Sequence, residues 1–447
     1  MPQIWDNTPA YLLTKRYVVW AFKQYYNQVI INGSENLPQS GPVIFAPNHL
    51  NALMDALAVL SLPPHGLPKV FLARADLFRL PAAVVRFIRF AKILPAYRIR
   101  DGYDQLDRNK ETFEEAENTL LNRSAIGIMP EGNQGEERNI RQLVKGIFRI
   151  AFSAQQKMPE GMSVKIIPIG IEYGDIIEYQ RSLIINIGAP VDVAGYMQLF
   201  NDNQVKATNE LKSTLRNALE SLTVHLPAGE NYPMYDSLVE LLAPARAAKL
   251  HHKGALALFL ARQQIAEHLQ ISEIQDPQGF SKMKDLFKEY SELTGRLQLP
   301  ARKASRPFVP RLSPLQIRLK TILLSVLLLP GALLNYLPYR FITSVPRMAG
   351  IKYSGFYSSV YYGAAIVVLP VYYLLLAVLA ISISSLTWWS IFILIPFFYL
   401  SGKLSFRLYR CIRDLRTDLQ MHACFRHSGE AMNRLMELRS QLIEKLG

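Results

Sequence analysis

Two rhythms of apolar and polar positions alternate along the first 230 residues. Short apolar runs bounded by Gly, Pro, Asn or Asp at Pro42–Pro47, Val70–Ala73, Ile93–Tyr97, Ala125–Met129, Val164–Ile171 and Leu183–Ile187 predict strands. Between and after them, helical spacing runs over Leu53–Leu60, on to about Ala91, and over Asn109–Asn122, Leu143–Gln156 and Asn201–Leu226. Strand following helix in this way predicts a layered α/β domain, residues 1–229, with helices packed on a central sheet. Tyr11–Ile31 mixes aromatic and basic residues at helical spacing, which fits a helix lying flat on a membrane or one covering the domain. After Pro227 the pattern becomes polar and helical, giving a helical extension at 230–299, then a basic, Pro-containing linker at 300–317.

The last third has a different pattern. Tyr353–Gly402 is fifty residues without a charge, and a spanning helix needs about 20, so the stretch predicts a hairpin at Ser359–Ile381 and Thr387–Gly402. Ser382–Ser385 forms its turn, and Trp388 and Trp389 then sit at the far interface. An earlier apolar stretch, Thr321–Tyr339, is interrupted by Pro330, Gly331, Asn335 and Pro338 and reads as a span or a re-entrant segment of the same membrane region, 318–403. Half the residues are apolar and the net charge is +14, but residues 1–299 hold 32 basic and 31 acidic side chains against 18 and 5 in residues 300–447. The excess therefore flanks the apolar segments. That weakens a nucleic-acid reading and points to anionic lipid headgroups. If the first segment dips in without crossing, all three basic clusters share the cytoplasmic face, which the positive-inside rule favours and which places the α/β domain there too. The basic helix at 404–447 either lies on the membrane or pairs with the helices of 236–299.

Two cysteines, Cys411 and Cys424, cannot form a thiolate site, and the eight histidines show no metal-ligand spacing, so no zinc is expected. Chemistry concentrates where strands end, the place where α/β folds assemble their sites. Asn48-His49 leaves the first strand with Asp55 a turn and a half further on. Asp55 can accept from one ring nitrogen of His49 while the other takes a proton from a hydroxyl. No serine or cysteine sits in a nucleophile elbow, so the hydroxyl would be the substrate's own. Lys69 to Arg100 holds eight basic residues and one acid, a composition suited to phosphate. Arg98 at a strand end is the leading candidate, with Arg74 behind it. Met129-Pro130-Glu131-Gly132 puts a carboxylate and a permissive glycine after another strand, Arg138, Arg141 and Lys145 offer further phosphate contacts, and Pro168 interrupts the apolar run Ile167–Ile171.

In this order and at these separations, the four segments resemble the motifs of the glycerolipid acyltransferases, typified by 1-acylglycerol-3-phosphate acyltransferase, over roughly residues 38–175. The resemblance implies that His49 is the general base, Asp55 its orienting partner, Arg98 a phosphate ligand, Glu131 and Gly132 part of the acceptor site, and Pro168 part of the acyl-binding wall. It implies acyl-CoA or acyl-carrier protein as donor, lysophosphatidate or glycerol-3-phosphate as acceptor, with lysophosphatidate placed first, and no cofactor. Two departures stand out. Five residues separate His49 from Asp55 where the commoner pattern has four, and Met129 and Asn133 replace Phe and Thr. The longer spacing resembles a branch that includes glycerol-3-phosphate acylating members, with Asn51, Ala52 and Leu53 in a loosened turn. A membrane-bound lipid-binding or scaffolding protein that keeps the fold without chemistry is the reading from a different class.

Overall fold

The computed structural model describes residues 3–97, 109–299 and 312–445. They form two compact units: Met1–His225 with Ser354–Ser359, and Leu226–Tyr353 with Val360–Gly447. The first is the α/β domain. Its strands are β1 (Gln28–Asn32), β2 (Val43–Pro47), β3 (Lys69–Arg74), β4 (Ile93–Ala96), β5 (Ala125–Gly127), β6 (Lys165–Tyr173), β7 (Ser182–Ile187) and β8 (Val191–Asp192). They build one sheet in the order β1-β7-β6-β2-β5-β3-β4, with β8 beside β6. Every pairing is parallel except β6 with β7 and β6 with β8.

Side chains alternate across a strand, and the two faces of β2 show it. Ile44 and Ala46 join the core formed by α4 (Asn109–Leu121), α5 (Lys145–Gln156) and α7 (Gln204–Leu222), where Leu120, Phe148, Phe152 and Leu215 are buried with Ile126 and Ile166. Phe45 belongs to the other face, which carries α1 (Pro9–Tyr25) and α2 (Ala52–Leu60). Burial on both faces explains why the central strands are near-continuous apolar runs instead of alternating ones.

Three elements depart from the sequence reading. The helix expected over Tyr11–Ile31 stops at Tyr25, and the β-branched Val29-Ile30-Ile31 becomes edge strand β1, paired in register with β7. The helix expected over Asn201–Leu226 is two, α6 (Met197–Asp202) and α7, divided at Asn203, whose side chain accepts from Lys206 N and caps α7. The stretch leading to Ala91 is a 3-10 turn that buries Ala75, followed by the short α3 (Ala82–Phe90), which buries no residue.

The second unit is helical. The extension is three helices, α8 (Tyr232–Ala247), α9 (Gly254–Gln275) and α10 (Pro277–Arg296). The interrupted stretch around 321–339 is one continuous helix, Pro314–Met348, despite Pro330, Pro338 and Pro346. The apolar hairpin is Tyr357–Ser382 and Ile391–His427, joined through the stacked Trp388 and Trp389. These three regions are long and apolar enough to cross a membrane. They meet through small and polar residues, as helices in lipid do. Asn335 donates to Ser401 Oγ (3.1 Å) and accepts from Tyr373 OH (2.7 Å), and a Cβ on Gly331 would sit 2.2 Å from Ser405 Oγ. The closing helix, Gly429–Lys445, pairs with α10: the Arg434 guanidinium holds both oxygens of Glu289 at 2.8 and 2.9 Å.

The first unit also buries lysines. Lys69 lies in the core over the Phe45 ring and donates to Leu62 O; Lys92 donates to Ile4 O and Asp6 O, both at 2.6 Å; Lys15 donates to His65 O at 2.8 Å. Burial pushes the Lys69 amine down to about 7, with Lys15 adding to the effect, and Lys92 down to about 8. In the folded chain the neutral amine is favoured, so between about pH 7 and the unfolded value of 10.5 the unfolded chain binds more protons. Stability therefore rises with pH across that window. We expect the melting temperature of detergent-solubilised protein to climb from pH 7 to pH 10 and the climb to shrink in Lys69→Met. An unchanged slope in the variant would show that Lys69 is not its source.

Candidate active site

The site forms where β2 ends. Asn48, buried beyond the last strand residue, locks this end onto β6: its Oδ1 accepts from Ile171 N (2.6 Å), its Nδ2 donates to Ile171 O (3.1 Å), and its own N donates to Ile169 O (3.1 Å). His49 follows, partly exposed, with Nδ1 2.9 Å from Asp55 Oδ2. Asp55, in the first turn of α2, is fully buried and takes two further donors, Asn51 N to Oδ2 (2.7 Å) and Tyr173 OH to Oδ1 (2.6 Å). A carboxylate at Nδ1 assigns the ring proton to that nitrogen, leaving Nε2 as an acceptor. Burial first, and Asp55 second, push the Tyr173 hydroxyl well above its ordinary value, so it stays protonated and keeps donating.

The five-residue link between His49 and Asp55 takes an unusual backbone path. Asn51 has φ −141° and ψ 57°, and Ala52, the first residue of α2, sits at φ +33°, a region a residue with a Cβ rarely adopts. Asn51 O still accepts from Met54 N (2.8 Å) and Asp55 N (3.3 Å), so the helix starts and Asp55 reaches His49.

Glu131 bridges this turn to the loop after β5. Its Oε1 accepts from His49 N (2.8 Å), and its Oε2 accepts from Arg141 Nε (2.8 Å) and Arg141 N (3.2 Å). Arg141 also reaches His49 O at 3.3 Å, which Gly135 N contacts at 3.1 Å. Both backbone groups of His49 are thereby held. Gly132 sits at φ +70° with Val144 Cγ1 2.9 Å from where a Cβ would be, so the loop needs a glycine there on both counts.

The structure thus brings His49, Asp55, Glu131 and Gly132 together. Arg98, the leading phosphate candidate, lies outside the described residues. Arg74 ends β3 in an ion pair with Asp76, Lys145 is exposed at the first position of α5, and Arg138 lies 3.7 Å from Glu172. Pro168 is buried in β6 opposite Ala46, packed towards Gly188 and, by strand alternation, on the face away from Tyr173. The basic stretch needs correcting at two positions. Lys69 and Lys92 are buried and bound to backbone carbonyls, so neither is available to a phosphate. Tyr173 is the contact that sequence reasoning missed, because one tyrosine ending an apolar strand has no spacing signal.

Residues 28–172 match the family described as Acyltransferase. This segment is an acyltransferase domain. Among curated proteins, the chain is 24% identical over 255 residues to glycerol-3-phosphate O-acyltransferase 2 of Saccharomyces cerevisiae, covering 55% of this chain and 32% of that protein. It is 28% identical over 108 residues to glycerol-3-phosphate O-acyltransferase 1 of the same yeast, covering 24% and 14%. The matched region spans a third or less of these relatives' lengths. Among solved structures, the 1-acyl-sn-glycerophosphate acyltransferase of Thermotoga maritima aligns with 19% identity and a TM-score of 0.33 over 47% of this chain and 79% of that one. In this acyltransferase domain, Tyr173→Phe removes one of three donors to a buried carboxylate. We expect turnover to fall about tenfold, against about a thousandfold or more for Asp55→Asn, which can hold the wrong tautomer. Steady-state rates of the two variants check the ranking, and equal losses would contradict it.

Proposed function

We propose that this chain transfers a fatty acyl group from a thioester, acyl-CoA or acyl-carrier protein, to a hydroxyl of glycerol-3-phosphate by a single displacement. The observation that carries the proposal is the buried Asp55 bound to His49 Nδ1, which leaves Nε2 as a base beside a partly open surface. His49 takes the proton of the glycerol hydroxyl as its oxygen attacks the thioester carbonyl. The tetrahedral intermediate then collapses, the carbon–sulfur bond breaks, and the imidazolium returns the proton to the departing thiolate. Arg98, Arg74 and Lys145 are the proposed phosphate contacts, Glu131 and Gly132 shape the acceptor side, and Pro168 contributes to the acyl wall. Glycerol-3-phosphate is placed ahead of lysophosphatidate because both curated relatives are named for it and the five-residue His-to-Asp spacing points the same way.

The reaction is proposed to run at the cytoplasmic face of a membrane. Arg340, Arg347 and Lys352 precede the hairpin, and Lys403, Arg407, Arg410 and Arg413 follow its apolar part, so both ends carry the cytoplasmic signature. Ser354–Ser359, at the entry to the hairpin, belongs to the catalytic unit, which supports the same side for that unit. Anionic lipids are the proposed surface partner: α3 exposes Val84, Phe87 and Phe90 beside Arg86 and Arg89, and α1 exposes Leu13, Tyr17 and Trp20 beside Arg16 and Lys23.

Full-length protein in nanodiscs, given acyl-CoA and either acceptor, tests the assignment. The expected product is 1-acylglycerol-3-phosphate, with activity falling about a thousandfold or more in His49→Ala. Acylation of lysophosphatidate without acylation of glycerol-3-phosphate would reverse the order of acceptors, and full activity in His49→Ala would sink the mechanism.

A further inference from the structure

The turn that carries His49 and Asp55 is held by residues more than three hundred positions away in sequence. Ser358 Oγ donates to Asn51 Oδ1 at 2.7 Å, and Leu53 N donates to Ser359 Oγ at 3.2 Å. Ser358 is fully buried and Ser359 nearly so. Both stand in the first turn of the apolar helix Tyr357–Ser382, within the segment that belongs to the catalytic unit.

The chemistry of each contact is specific. The first amides of a helix have no partner within it, and a Ser, Thr, Asn or Asp at the N-cap normally supplies one. Asn51 occupies the N-cap of α2 without making that side-chain bond. Its amide instead donates to Ile176 O (3.0 Å), its carbonyl oxygen accepts from Ser358, and its backbone N–H is given to Asp55. Ser359 supplies the missing cap from outside, to the amide two residues before Asp55.

We propose that Ser358 and Ser359 are positioning residues for acyl transfer: the head of a membrane helix caps the catalytic helix and fixes Asn51, and through Asn51 N the orientation of Asp55. This deepens the acyltransferase reading and rests on it. Neither serine touches a reacting atom, so their loss lowers kcat and leaves the KM of both substrates nearly unchanged. Because Ser358 acts through Asn51, its effect disappears once Asn51 is alanine.

The experiment uses full-length protein in nanodiscs. Ser358→Ala/Ser359→Ala is expected to lose about tenfold in kcat with each KM within about twofold. Ser359→Thr, which keeps a capping hydroxyl, retains wild-type kcat, and Ser358→Ala adds little to Asn51→Ala. In parallel, amide exchange of the peptide spanning residues 50–56 is expected to quicken in the double alanine variant, a readout that needs no activity. Wild-type kcat in the double variant beside a dead His49→Ala would overturn the proposal. So would unchanged exchange, or an equal loss in Ser359→Thr. A wild-type chain inactive on every acceptor would count against the acyltransferase reading, and the exchange result would still decide the capping.

Discussion

The site depends on satisfying one buried carboxylate. An ionised Asp removed from water costs several kcal/mol unless its oxygens are paired, and Asp55 meets that cost with three donors from three segments: the His49 ring beyond β2, Asn51 N at the entry to α2, and Tyr173 OH at the end of β6. None of the three can shift without exposing a lone pair to apolar surroundings. The carboxylate therefore works as a strict test of whether β2, α2 and β6 are in register. Asn48 strengthens the same constraint from the backbone side by pinning the end of β2 to Ile169 and Ile171.

A second carboxylate performs the same service for the loop after β5. Both Glu131 oxygens are occupied by this chain, on His49 N and on Arg141. Its first task is thus to fix the backbone of His49, the proposed base, and any contact with an acceptor would be made by a group already immobilised. Rigid support of this kind keeps a reacting nitrogen within the small tolerance that proton transfer needs. Arg141, read from sequence as a phosphate contact, fits the same account, because its guanidinium lies along Glu131 and His49 O.

What the sequence made legible divides along physical lines. Segments whose fate is decided locally were readable: the apolar runs at Pro42–Pro47 and Val164–Ile171 are β2 and β6, and His49 and Asp55 share a turn whose spacing is itself a signal. Tyr173 and Ser358 were not, since each acts across a distance of more than a hundred residues that no local pattern encodes. Counting charge misled for a related reason. Lys69 and Lys92 raise the basic density between Lys69 and Arg100, yet both are buried on backbone carbonyls, and composition cannot distinguish a buried amine from a ligand. Edge strand β1 was lost to the helix beside it, because five residues paired on one side only leave little pattern of their own.

The residue inserted between His49 and Asp55 connects these points. A sixth step in the motif has to go somewhere, and it goes into Ala52 at φ +33°, a conformation that costs free energy and persists only where neighbours over-determine it. On one side Asn51 is tied to Ile176, Asp55 and Ser358, and on the other Leu53 is capped by Ser359. The strain thus sits between two anchored residues and cannot relax by sliding the helix start one position. On this argument the unusual spacing and the serines at the head of the membrane helix are parts of one device, which lets the dyad keep its geometry while the turn beneath it is lengthened.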